Sequence, residues 1–192
     1  MAEITRFVED MSESDIERFE KRLFPTDGEH GCFGCSSVKG FLANGEKLLT
    51  VVNKDLETLK ENNLTFQIII NRLRNLVNTA ILELNKINKK EIILEDKYEI
   101  KFVRWMGTQY CPFSNIPDNY NCGPFSSVWG ACGSSPDSVT IKNLNNNKEI
   151  EFCLLSLHLI EDHHFFEGSV KNRLDPLKIM EVIDTDIIKP IF

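Results

Sequence analysis

Between residues 65 and 88 the apolar positions Phe66, Ile70, Leu73, Val77, Ala80, Leu84 and Ile87 recur alternately four and three apart. That spacing is the seam of an amphipathic helix running over three heptads. Residues 45–61 repeat it with Leu49, Val52, Leu56 and Leu59. Asn62-Asn63-Leu64 separates the two as a short turn, and Thr65 is a good N-cap. The expectation is a long antiparallel helical hairpin over 45–88. Ile68, Ile69 and Leu76 lie beside the seam, so the longer helix has more apolar surface than one partner helix covers. It packs on the body of the protein or forms a homodimer through helix 65–88. Upstream, residues 3–10 read as a short helix. A second runs to Phe24 behind Ser12 or Ser14, with Ile16, Phe19 and Leu23 on one face. Pro25 stops it.

From Glu91 the period drops to two. Ile92-Ile93-Leu94, a Glu-Asp-Lys turn and Tyr98 to Trp105 form a β-hairpin, with Tyr98, Ile100 and Phe102 on one side. Ser138 to Asn143 and Lys148 to Leu154 form another around Asn145-Asn146-Asn147. The fold class is therefore α+β: N-terminal helices with a long antiparallel helical hairpin, then a four-stranded antiparallel sheet, then two short helices. Residues 1–90 are the helical region and 91–192 the α+β region, readable together as one compact domain.

After the last strand the pattern loses its clear face. Leu154 to Phe166 is apolar nearly all round, which marks a buried helix. Gly168 suits its C-terminal stop, and Asp175-Pro176 suits the N-cap and first turn of the next helix. This stretch holds His158, His163 and His164 among two adjacent phenylalanines. His158 and Asp162 lie one turn apart, so a carboxylate can set the imidazole tautomer and support general acid/base chemistry. The histidine spacings are five, six and one, so they form no i, i+3 or i, i+4 ligand pair of the helical zinc type. Hydrogen-bonded core histidines and a metal site shared with distant cysteines are the other readings. Arg173 would bridge Glu167 or Asp162 as a clamp.

The run HLIEDHHFFEG followed by RLDP resembles a motif near the C-terminus of small uncharacterised bacterial and phage proteins. The resemblance covers about 24 of the 192 residues. It implies a recurring unit and brings with it no activity and no catalytic residue.

Two further segments carry candidate chemistry. In the glycine-rich loop 26–34, His30, Cys32 and Cys35 form H-x-C-x-x-C, a half-site for a tetrahedral metal such as zinc. The complementary ligands would come from the 107–164 region. The loop 107–137 is long for a compact domain, which points to a functional role or a tie. It holds Cys111, Cys122 and Cys132 together with Trp129, Phe113 and Phe125. Cys111 or Cys132 would act as a nucleophile facing His158 or His164. His163, His164, Arg173 and Trp129 are candidate binding residues.

Charge narrows the partners. The net charge is −7, with 14 acidic and 13 basic groups in residues 1–90 and 15 acidic and 9 basic in 91–192. An acidic C-terminal half argues against unaided nucleic-acid binding and against anionic membrane surfaces. It favours a basic protein partner. MAEITRFVEDM has no apolar signal core, and the six cysteines read as thiols of a cytoplasmic chain. The leading functional expectation is a cytosolic acidic protein-binding module of adaptor or inhibitor type. The alternatives are a Cys/His-dependent hydrolase or transferase under the 107–137 loop, and a zinc-stabilised domain.

Overall fold

A computed structural model describes residues 12–25, 40–87, 89–104, 109–113, 133–134, 137–171 and 173–184. Their architecture is α+β, with five helices and a four-stranded antiparallel sheet among the described residues. None of the described helices is long and apolar enough to cross a membrane. The segment 3–10 and the loop 26–34 lie outside the described residues.

Helix α1, Glu13–Leu23, starts at Ser12, whose hydroxyl accepts the Asp15 backbone N–H at 3.2 Å. Phe19 and Leu23 turn inward. The chain returns at Gly40, where φ is +67° and an added Cβ would lie 2.5 Å from the Pro25 nitrogen. Only glycine fits that approach. Helices α2, Leu48–Glu61, and α3, Phe66–Ile87, follow, joined by a turn in which Asn63 is left-handed. Thr65 caps α3 by accepting the Ile68 N–H at 3.2 Å. The buried stripe of α3 is wider than one seam: Phe66, Ile69, Ile70, Leu73, Leu76, Val77, Ala80 and Leu84 are all buried, whereas Ile87 is exposed. Its apolar face belongs to the main core, packed on strand β1 and on the helix that carries the histidines.

Strands β1, Glu91–Leu94, and β2, Tyr98–Val103, are joined by left-handed Glu95 and Asp96, which match the twist of a tight hairpin. Beyond two short strands, β3 (Gln109–Tyr110) and β4 (Gly133–Ser134), come β5, Ser138–Asn143, and β6, Lys148–Cys153. The sheet order is β1-β2-β5-β6, with Ile100 opposite Ile141 and Ile141 opposite Ile150. One row of isoleucines therefore crosses the sheet into the core. Strands β3 and β4 pair only with each other, Tyr110 opposite Gly133. The ends of the 107–137 loop thus carry a small ribbon that periodicity does not predict.

Strand β6 runs without a loop into α4, Leu154–His163, and a further helix α5, Pro176–Val182, follows its Asp175 cap. Helix α4 ends at His163, three residues before the expected Phe166, and Gly168 is not its stop. His164 takes the left-handed conformation at φ 50° and Glu167 does so at 69°. The cause is packing. The turn at His164 sends Phe165 into one apolar cluster and Phe166 into another, and both are buried. Gly168 instead permits close approach: its N–H donates to the Phe41 carbonyl at 2.7 Å, and a Cβ there would strike the Glu46 carboxylate. Arg173 is held by Asp55 and Asp175 and donates to the Glu167 carbonyl, so its clamp reaches α2 and not Asp162.

Candidate metal centre

Two buried clusters flank α4. Leu157 and Ile160 face the cluster formed by α3 and the sheet. Leu155 and Leu159 face a second cluster made with Phe19, Leu23, Phe41, Leu48, Val52, Cys111 and Phe113. Position along the helix therefore decides what each histidine meets. Strand β4 of the ribbon lies against α4. The residue leaving β3 is Cys111, which is thereby carried into the second cluster.

Cys111 meets His163, 52 positions later in the chain. Its Sγ lies 3.2 Å from His163 Nε2, and that same nitrogen lies 3.3 Å from His158 Nε2. The three donor atoms of Cys111, His158 and His163 fall within 4.8 Å of one another. Cys111 and His163 are buried, and His158 is nearly so. The His163 ring stacks on Phe113, with centroids 4.2 Å apart and planes 14° apart, and meets the His158 ring nearly edge-on at 84°. Phe113 thus fixes the plane in which His163 presents Nε2.

A spacing of five does not prevent the two rings from meeting, for a geometric reason. Five residues place the two histidines about 140° apart around the helix, not one above the other. Their rings nevertheless converge, and His163 stands at the last turn, where the next residue leaves the helical path. The i, i+3 or i, i+4 rule describes side chains stacked on one regular face, and the second imidazole here sits where regularity ends.

Behind His158, its Nδ1 lies 2.6 Å from Asp162 Oδ2. Burial pushes the Asp162 carboxyl up, but His158, His163 and Arg74 together draw it down further, and the net pKa lies below the ordinary value. Burial and the repulsion of a charged His158 hold His163 down at about 3, so it is a neutral imidazole at physiological pH. Neutral imidazole is the form that ligates metals. Arg74 pairs with the neighbouring Glu161 at 2.6 Å.

The arrangement is hard to satisfy with hydrogen bonds alone. An imidazole Nε2 has one in-plane site, which carries either a proton or a lone pair. His163 Nε2 has two close neighbours, a sulfur and a nitrogen, and one site cannot point at both. A cation between the three atoms would accept all of them together. Two of the three edges are close to the size that zinc needs, and the third lies within 4.8 Å. Tetrahedral zinc, with Zn–N of about 2.0–2.1 Å, sets two imidazole nitrogens about 3.3–3.4 Å apart. The corresponding sulfur–nitrogen edge is about 3.5–3.6 Å, so Cys111 would withdraw by a few tenths of an ångström.

The remaining candidate residues lie elsewhere. His164 stacks on Phe66 at 4.6 Å and belongs to the main core side, away from the thiol. Arg173 serves the clamp to Asp55. His30, Cys32, Cys35, Cys132 and Trp129 lie outside the described residues. Phe113 was missed by sequence reasoning as a positioning residue; its place two residues after a cysteine was the available signal. The chain matches no family model, no curated protein and no solved structure.

Proposed function

We propose that this protein binds one zinc ion through Cys111, His158 and His163, and that the ion ties the base of the 107–137 loop to helix α4. The observation that carries this is the convergence of three donor atoms within 4.8 Å of one another, two of them on buried residues, with two neighbours competing for the single site of His163 Nε2. A thiolate with two imidazoles is a zinc-type donor set. Binding replaces the Cys111 thiol proton and joins segments about fifty residues apart, so part of the binding free energy becomes folding free energy. The alternative of an acidic partner-binding module rests on charge alone, and the donor cluster gives the zinc reading the stronger support.

The test is cobalt substitution. The purified full chain, stripped by chelation under reducing conditions, is titrated with Co²⁺ and its visible and near-ultraviolet absorption recorded. Intense tetrahedral bands with a thiolate charge-transfer band, saturating at one ion per chain, support the proposal. The charge-transfer band should vanish in Cys111→Ser. A charge-transfer band that survives in Cys111→Ser, or no tetrahedral spectrum in the wild type, overturns it.

A second reading has one observation behind it. The described residues supply three ligands, and the His158–Asp162 edge is partly open to solvent. A tetrahedral ion with three protein ligands keeps a position for water, and such water is hydrolytic when its pKa falls to about 7. X-ray absorption separates the readings: one sulfur, two nitrogens and one light oxygen indicate bound water, whereas a second sulfur indicates a closed structural site.

A further inference from the structure

We infer that Asp162 is the specificity-determining residue of this centre, selecting a divalent over a monovalent ion. The inference rests on the metal reading above and adds to it the identity of the charge the site can hold.

The ligands are one thiolate and two neutral imidazoles, and they sit among buried apolar groups: Phe113 stacks on His163, and Leu155, Leu159 and Phe165 share the cluster with Cys111. A net charge in such surroundings is expensive unless it is balanced nearby. A divalent cation with one thiolate carries +1. The Asp162 carboxylate, 2.6 Å from His158 Nδ1, brings the assembly to zero. A monovalent ion such as Cu⁺ would leave the same assembly at −1. Of the nearby charges, Arg74 and Glu161 pair with each other at 2.6 Å and together add no net charge. Asp162 also stabilises the proton on Nδ1, leaving the Nε2 lone pair of His158 for the metal. The tautomer effect serves any ion; the charge effect favours only the divalent one.

The experiment is a pair of competition titrations on wild-type protein, Asp162→Asn and Asp162→Glu, one with Zn²⁺ and one with Cu⁺ under anaerobic conditions. Each uses a chromophoric chelator of known affinity. Outer-shell carboxylates of this kind change metal affinity by about 10–100-fold. Asp162→Asn should weaken Zn²⁺ by that factor and Cu⁺ by clearly less, so the Zn²⁺/Cu⁺ preference falls at least about tenfold. Asp162→Glu should restore most of that preference. Circular dichroism of the metal-free variants establishes that each is folded. An equal loss for both ions, or Zn²⁺ affinity unchanged in Asp162→Asn, overturns the inference while leaving the metal site standing. No metal binding by the wild type removes the site itself, and the inference with it.

Discussion

The two clusters on either side of α4 differ in kind. The larger one is closed by α3, the isoleucine row of the sheet and α5, and its members are almost wholly aliphatic or aromatic. The smaller one joins α1, the start of α2 and the returning segment at Phe41–Leu42 to α4, and it contains a thiol beside an imidazole. Surface burial alone accounts for the first, because apolar side chains on opposed layers exclude water without further help. In the second, a polar cluster lies inside an apolar wall, and its donors must be matched or their desolvation opposes folding. One part of the molecule is held by area, and in the other the proposed ion would be the specific chemical tie.

The largest effect should come from cutting the first region. Phe152 is buried beneath the sheet, and Phe152→Ala should cost about 3–5 kcal/mol. Denaturant unfolding should give the same loss with and without added zinc, because that cluster does not use the ion. Removing the tie should act differently. With zinc at about 100 times its Kd, the holo form gains about 2.7 kcal/mol, all of it lost on chelation or in Cys111→Ser. Hydrogen exchange should show that loss at α4 and the Cys111 segment before it appears in β2 and β5. Uniform loss of protection would erase the distinction between the regions.

A pH-dependent effect of similar size should sharpen it. Burial pushes Glu167 up to about 8 against the hydrogen bond from Ser156, which draws it down. The folded pKa lies above the unfolded value near 4.5, so below that value both states are protonated and the residue is neutral in effect. As pH rises through the window from about 4.5 to 8, the unfolded state releases the proton first and stability falls; above about 8 the loss levels off. Glu167→Gln keeps an acceptor for Ser156 and should flatten the curve in that window, by roughly 2–4 kcal/mol at its upper end. Unfolding free energies of the metal-free protein at several pH values check this; parallel curves for wild type and variant would contradict it.

The smallest effect should come from the outer side of α3. Leu82 is 63 % exposed, and Leu82→Lys should change stability by no more than about 0.5 kcal/mol. Its solution mass should equal that of the wild type. A shift from dimer to monomer would instead establish the homodimer expected through helix 65–88.

The same contrast explains what the sequence disclosed. The main core was legible because it is periodic. The stripe of α3, the alternation in β2 and the pairing of His158 with Asp162 one turn apart all follow from 3.6- and 2-residue repeats. Asp175-Pro176 was legible because cap chemistry is local, and Asp175 does accept the Leu177 N–H at 2.9 Å. The donor cluster was only half legible. Cys111 and His163 were both candidates, but their meeting depends on the β3–β4 ribbon lying against α4. The helix end misled for a related reason. Gly168 had the right intrinsic preference, but the burial of Phe165 and Phe166 on opposite sides forced His164 into the left-handed turn. Local propensity yielded to tertiary packing there.

The proposed tie across α4 stands or falls with the ion itself. The direct measurement is the metal content of the untagged wild type and of Cys111→Ser, purified under reducing conditions and read by elemental mass spectrometry. About one zinc per wild-type chain is expected, and well under a tenth of that in the variant. A metal-free wild type that takes up no zinc on titration, or a variant that retains its zinc, would contradict it.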